Sequence, residues 1–267
     1  MIKLFWQKYW RQLTIGAIIL VALAVAVYTS TFNSLPQSSF SLFDQLSAPV
    51  ASDRVLVVAP HQDDEVIGAG DYIERSVSVG AKVEIVFATD GNKHGKKAER
   101  HDEAIAADAK LGILPNQIAF FDRPDGQLTE TNQYSQFVAQ LTDAVKAFQP
   151  TIIVTTLPSD DHPDHAATGR AVEALTSGVT NAQKWYFLIH ADRYPRPIGD
   201  KPDAYLLPPI DLVAGYNWDV FSPTPAEQVQ KRQAIDAYRS QLSLTNPILR
   251  QLLQSFDRRN ELFAQTR

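Results

Sequence analysis

Short apolar runs rich in β-branched residues alternate with stretches of helical periodicity through the middle of the chain. The pattern predicts buried strands at 55–59, 81–89, 118–121 and 151–156, and helices at 65–79, 98–111 and 134–148. Strands and helices that alternate in this way favour βαβ units and a mostly parallel sheet with helices on both faces. We therefore expect an α/β domain built of three layers.

The pattern after residue 183 is less regular. It predicts a strand at 184–190, an edge strand at 203–207, and helices at 225–242 and 248–263. No repeat and no second domain boundary is visible, so we expect one domain from residue 53 to residue 267.

A long apolar segment precedes this domain. Residues 13–28 are apolar almost without interruption, and a helix of about 20 such residues spans a bilayer. Lys3, Lys8 and Arg11 come before it, so the positive-inside rule places the amino terminus in the cytoplasm and the rest of the chain outside. A cleaved signal peptide is the alternative, because the AVA sequence at 24–26 resembles a cleavage site.

These patterns divide the chain into a cytoplasmic segment at 1–12, a transmembrane anchor at 13–31, a polar tether at 32–52 and the domain at 53–267. The predicted fold class is a Rossmann-like three-layer sandwich preceded by one transmembrane helix. The predicted location is the membrane, in a single pass, with the domain outside the cytoplasm. A net charge of -5 disfavours nucleic acid as a partner, because nucleic-acid phosphates call for a basic face.

Two of the predicted strands end in side chains that bind metals. The sequence PHQDDE at 60–65 follows the strand at 55–59, and HPDH at 162–165 follows the strand at 151–156. The carboxyl ends of parallel strands lie at one edge of a sheet, where such folds place their sites. We therefore expect the two clusters to converge, although a single Asp in either one would be better explained as a helix cap.

The residue types at these strand ends suit a catalytic metal. The chain has no cysteine, so any metal must be held by His, Asp or Glu. His61, Asp64 and His165 would supply two nitrogens and one carboxylate, which leaves an open position of the kind that hydrolytic zinc needs. Asp63, adjacent to one proposed ligand, is the candidate general base.

A second histidine is available for charge stabilisation. His162 lies three residues before His165, and a nearby Asp164 carboxylate could keep its imidazole protonated. A protonated imidazole could then stabilise an oxyanion or the leaving amine.

The two motifs resemble those of the LmbE-like, or PIG-L, metal-dependent deacetylases, which remove acetyl groups from N-acetylglucosamine conjugates. The pattern Arg100-x-x-Glu103 lies between them, and a weaker similarity extends over 231–241. The resemblance implies zinc, with iron(II) as the alternative, on His61, Asp64 and His165. It also implies Asp63 as base and His162 as electrophilic stabiliser.

The same resemblance assigns Arg100 to substrate binding, although Arg100 could instead pair with Glu103 on its own helix. His190, with Arg193 nearby, would line the cleft, or else His190 is a structural histidine. Gln62 stands where the family has proline, which should loosen the turn without removing a ligand.

The function predicted from these residues is hydrolysis of an N-acetyl amide on an amino sugar within a glycoconjugate. A metallophosphoesterase is the first alternative, but it usually needs two metals and more bridging carboxylates. A non-catalytic glycan-binding protein that keeps a relic metal site is the second.

Overall fold

Eight strands form one sheet in the described part of the chain. The computed structural model describes residues 2–32, 34–93, 95–243 and 246–266, with side chains omitted at 2–8 and 26–32. The strands are β1 (Asp44–Gln45), β2 (Arg54–Ala59), β3 (Lys82–Thr89), β4 (Ile118–Arg123), β5 (Ile152–Thr156), β6 (Gln183–Phe187), β7 (Tyr216–Phe221) and β8 (Glu261–Thr266). Their order in the sheet is β1-β7-β8-β6-β5-β2-β3-β4.

The order of the strands explains why helices cover both faces of the sheet. The helices are α1 (Ile2–Phe32), α2 (Asp64–Ser78), α3 (Lys97–Lys110), α4 (Thr131–Phe148), α5 (Pro163–Glu173), α6 (Pro225–Ile235) and α7 (Pro247–Gln254). The chain moves outward from β2 through β3 to β4, then returns to β5 on the other side of β2. Since parallel crossovers are right-handed, α2 and α3 lie on one face and α4 and α5 on the other.

Strand β2 lies at the centre of the hydrophobic core. It pairs in parallel with β3 and with β5, so that Val57 lies opposite both Ile85 and Val154. Every side chain from Val55 to Ala59 is fully buried, and burial of each larger one contributes about 1.5–3 kcal/mol. The α/β prediction and the strands at the centre of the sheet are therefore confirmed.

The end of the chain differs from the prediction of one helix at 248–263. Helix α7 ends at Gln254, and residues 261–266 form β8, which pairs antiparallel with β6 and β7. The sheet is thus mixed. A short apolar run buried on both faces cannot be assigned to helix or strand from its periodicity alone, which is why the sequence misled here.

The predicted edge strand at 203–207 is also absent. The backbone of Leu206 pairs with a side chain instead of a strand: its N–H donates to Asn260 Oδ1, and its carbonyl accepts from Asn260 Nδ2. Within the predicted tether, Asp44 and Gln45 pair with Asp219 and Val220 of β7.

Residues up to Pro36 form a unit separate from Gln37–Arg267, and helix α1 lies in it. Among the residues whose side chains are described, no helix combines the length and apolar character needed to cross a membrane. The predicted transmembrane anchor at 13–31, the membrane as a partner and the single-pass location are therefore wrong. The side chains of Lys3, Lys8 and 26–31, used in that prediction, lie outside the described residues.

Candidate active site

The site lies where the winding of the sheet reverses, between β2 and β5. The loop after β2 carries His61 and Asp63, and α5, which follows β5, begins with Asp164 and His165. In open α/β sheets the crevice at such a switch point is the usual place for a ligand. The predicted convergence of the two clusters is observed.

Three donor atoms meet at the centre of the site. Asp64 Oδ2 lies 3.2 Å from His61 Nδ1 and 3.2 Å from His165 Nε2, and the two ring nitrogens are 3.2 Å apart. Asp64 Oδ2 also accepts the backbone N–H of His61 at 3.0 Å, which fixes the carboxylate. All three side chains are buried.

The outer nitrogens of both rings face other carboxylates. His61 Nε2 lies 3.2 Å from Asp164 Oδ2, and His165 Nδ1 lies 3.4 Å from Asp160 Oδ2. A carboxylate at the outer nitrogen holds the ring proton there and leaves the inner nitrogen as a lone-pair donor. Both histidines are thus arranged as metal ligands commonly are.

The spacing of these donors fits a tetrahedral metal. Ligand atoms about 2.0–2.2 Å from such a metal lie about 3.3–3.6 Å from one another, close to the 3.2 Å separations found here. Among the described residues, two other sets of donor atoms could also hold a metal, and in each set the atoms lie within 4.8 Å of one another. Both sets include His61: one adds His162 and His165, and the other adds Asp125 and Asp164.

Asp63 sits beside this group in an unusual backbone conformation. Its φ of 122° lies in a region that costs a non-glycine residue about 1–3 kcal/mol. Arg100 Nη2 lies 3.2 Å from Asp63 Oδ2 and donates a short hydrogen bond to the Gln62 carbonyl. Burial raises the pKa of Asp63 to about 7, the Arg100 guanidinium opposes this shift, and the Asp64 carboxylate adds to it.

Gln62, which stands where the family has proline, is held on the other side of the turn. Its side-chain Nε2 donates to the carbonyl of Thr89 at 3.0 Å. This bond ties the turn to the end of β3 and restricts it in place of a proline ring.

His162 and Asp164 do not form the pair that the sequence suggested. The Asp164 carboxylate accepts the N–H groups of Gly126 and Leu128 at 2.7 and 3.0 Å and faces His61. His162 Nδ1 instead accepts the backbone N–H of Asp164 at 3.3 Å. Burial, together with the neighbouring His165 and His61, lowers the pKa of His162 to about 4, so this ring is neutral at pH 7.

A cavity of about 410 Å³ opens over the site. Arg100 and His190, predicted to bind substrate, both line it, whereas Arg193 does not and lies 3.5 Å from Asp192. The rest of the lining is of three kinds. Lys93 and Lys96 are basic, four residues are polar and uncharged (Ser240, Gln241, Ser243 and Asn246), and five are apolar (Ile67, Ile189, Leu249, Leu252 and Leu253).

Asp125 was missed in the sequence. It follows β4, lines the cavity, and places its carboxylate 3.5 Å from His61 Nε2 and 4.0 Å from Arg100 Nη1. The rule that located the other two clusters applies here too, because Asp125 comes directly after the carboxyl end of a parallel strand.

Residues 56–176, which contain both motifs, match the family model described as PIG-L, GlcNAc-PI de-N-acetylase. This part of the chain is similar to the PIG-L (LmbE-like) family. The resemblance inferred from the motifs is confirmed.

One curated protein similar to this chain is named as a deacetylase. Diacetylchitobiose deacetylase of Thermococcus kodakarensis is 25% identical over 169 residues, which cover 56% of this chain and 61% of the relative. The chain therefore spans less than two thirds of that relative's length.

Solved structures share the fold of the PIG-L domain. N,N′-diacetylchitobiose deacetylase from Pyrococcus horikoshii superimposes with a TM-score of 0.52 at 18% identity, over 92% of each chain. The zinc-inhibited form of teicoplanin deacetylase superimposes with a TM-score of 0.59 at 20% identity, over 79% of this chain and 97% of that one. At these identities the likeness establishes the fold.

Proposed function

We propose that the domain predicted at 53–267 is a metal-dependent hydrolase that removes the acetyl group from an N-acetylglucosamine-type amino sugar in a glycoconjugate. The observation that carries this proposal is the convergence of two imidazole nitrogens and one carboxylate oxygen, 3.2 Å apart, beside buried Asp63. The PIG-L family match and the diacetylchitobiose deacetylases among its relatives support the amide bond of an acetylated amino sugar as the target.

His61, Asp64 and His165 would hold the metal, which we propose to be Zn²⁺ with Fe²⁺ as the alternative. A bound divalent cation supplies Lewis acidity to the acetyl carbonyl and to water. The outer contacts of His61 with Asp164 and of His165 with Asp160 orient the two imidazoles for this purpose.

Asp63 is the proposed general base. Its carboxylate accepts the proton of the attacking water and later returns a proton to the departing amine. Arg100, 3.2 Å from Asp63 Oδ2, keeps the carboxylate in place and also borders the cavity.

His162 is the proposed hydrogen-bond donor to the oxyanion. Because its Nδ1 accepts the N–H of Asp164, the ring proton of the neutral imidazole lies on Nε2, which can donate. Asp164 thus acts through its backbone on His162 and through its carboxylate on His61. Arg100 and His190 are the proposed contacts to the sugar, since both line the cavity.

The decisive experiment combines metal analysis with acetate release from a panel of N-acetylglucosamine conjugates. We expect acetate release that a chelator abolishes and that Zn²⁺ or Fe²⁺ restores. Zinc should be added at one equivalent and in excess, because teicoplanin deacetylase has a zinc-inhibited form. Phosphate release instead of acetate would favour a metallophosphoesterase, and metal binding without either product would favour a relic site.

Two variants separate the proposed roles. Asp63→Asn should keep the metal and lose at least about 100-fold in turnover, the usual contribution of a positioned base. His165→Ala should lose the metal. His101→Ala is the matched control, because His101 stacks on Phe120 away from the donor group and should keep both metal and activity. An unchanged rate in Asp63→Asn would remove Asp63 from its role.

A further inference from the structure

The segment that follows α6 makes hydrogen bonds to two of the sequence motifs, PHQDDE at 60–65 and Arg100-x-x-Glu103. The sequence predicts a helix to 242, but α6 ends at Ile235 and the chain continues in turns. In these turns, Ser240 donates its N–H and its hydroxyl to the Glu103 carboxylate at 2.7 Å each. The Tyr238 hydroxyl donates a hydrogen bond to Glu65, the last residue of the PHQDDE motif. The weak similarity at 231–241 therefore has a structural basis.

Glu65 lies between Tyr238 and Asp63. Its Oε2 accepts the backbone N–H of Asp63 at 3.0 Å, and its Oε1 accepts a short hydrogen bond from the Tyr238 hydroxyl. Glu65 and Tyr238 are both fully buried. Both oxygens of the Glu65 carboxylate therefore accept a hydrogen bond. One comes from Asp63, the neighbour of the proposed metal ligand Asp64, and the other comes from Tyr238, which is distant in the sequence.

Asp63 needs support of this kind because of its backbone. A residue with side chain at φ 122° is strained, and such conformations persist only where the surroundings over-determine them. Arg100 holds the Asp63 carboxylate from one side. Glu65 holds the amide of the same residue from the other.

We propose that Glu65 and Tyr238 are positioning residues that fix the general base Asp63 in its reactive orientation. This inference rests on the proposed function, in which Asp63 accepts the proton of water. Neither residue lines the cavity over the site, so neither is placed to contact a substrate. Their effect should therefore fall on turnover, while metal content and KM stay unchanged.

The test compares Glu65→Gln, Glu65→Leu and Tyr238→Phe in the full chain. Glutamine keeps an oxygen for the Asp63 N–H, and its amide can donate to the Tyr238 oxygen, so Glu65→Gln should retain most of the wild-type kcat. Glu65→Leu should lose about 100-fold in kcat through misplacement of the base. Tyr238→Phe should lose about 10-fold.

Tyr186→Phe is the matched control for Tyr238→Phe. Tyr186 is equally buried, and its hydroxyl has no hydrogen-bond partner among the residues that the structure describes. We expect this variant to keep the wild-type kcat. Metal content and thermal unfolding are measured for all four variants, so that a loss of folded protein is not counted as a loss of turnover.

A second readout does not depend on activity. Hydrogen exchange of a peptide that covers 60–66 reports the amide of Asp63, and this amide should exchange at least about 10-fold faster in Glu65→Leu than in the wild type. If the wild type releases no acetate, the proposed function fails, while the exchange rate still decides whether Glu65 holds Asp63. Unchanged exchange, a fully active Glu65→Leu, or a Glu65→Gln as inactive as Glu65→Leu would each overturn the positioning role.

Discussion

Asp160 shows how one buried carboxylate contacts several groups around the site. Its Oδ2 accepts the N–H groups of Ile189 and His190 at 3.0 Å each and lies 3.4 Å from His165 Nδ1. Its Oδ1 accepts the N–H of His162 at 2.9 Å. One side chain thus ties the loop after β5 to the end of β6 and places a carboxylate beside the outer nitrogen of His165.

We therefore expect Asp160→Asn to weaken metal binding by about 10- to 100-fold, the usual effect of removing a carboxylate behind a ligand histidine. Competition with a chromogenic chelator measures the affinity. The neighbouring Asp161 is exposed, so Asp161→Asn is the control and should bind metal like the wild type. Equal affinities in the two variants would show that Asp160 does not support His165.

At the scale of elements, α5 must approach the end of β5 closely to bring His165 into the site. A Cβ at Gly169 would lie 2.4 Å from the Thr156 carbonyl oxygen and 2.7 Å from the Pro158 nitrogen. Both are backbone atoms and cannot move aside as a side chain can. Thr156 Oγ1 also donates to the His165 carbonyl at 2.9 Å, so the same contact supports the site.

Gly169→Ala should accordingly destabilise the protein by about 1–3 kcal/mol, because the added methyl group overpacks the interface between α5 and β5. Thermal unfolding gives the change. Gly178→Ala is the matched control, since its Cβ would come no nearer than 3.6 Å to the Thr176 hydroxyl. If the two variants unfold at the same temperature, the close approach of α5 is not required.

At the scale of the whole molecule, β8 joins the two ends of the domain through a buried ion cluster. Lys231 Nζ of α6 lies 2.7 Å from Glu261 Oε1 and 3.6 Å from Asp71 Oδ2. The Glu261 carboxylate also accepts the N–H groups of Asp71 and Tyr72 at 2.8 and 2.9 Å. These groups follow Ala69, where α2 is kinked. The last strand therefore satisfies backbone groups near the kink.

Lys231→Met should cost about 3–5 kcal/mol, because it leaves Glu261 and Asp71 buried without their counter-charge. Denaturant unfolding of the full chain measures the loss. Lys146 lies exposed on α4, so Lys146→Met should stay within about 0.5 kcal/mol of the wild type. A Lys231→Met as stable as this control would mean that the cluster does not contribute to the fold.

The sequence could predict the strands and strand-end residues whose placement follows from the local pattern of apolar and polar residues. Runs such as 55–59 and 151–156 are apolar on both faces, which marks buried parallel strands, and the polar residues that follow must lie at the sheet edge. This argument brought His61 and His165 together although they are 104 residues apart. It also covers Asp125, which the prediction overlooked.

The sequence by itself determined the α/β class and the convergence of the two motifs, because strand burial and the direction of parallel strands follow from local pattern. Only the tertiary structure decided that β8 enters the sheet, that Glu65 meets Tyr238 across 173 residues, and that Asp164 faces His61. Those contacts depend on how distant elements pack, and no local periodicity encodes that packing. The same limit applies to α1, where an apolar run alone suggested a membrane span.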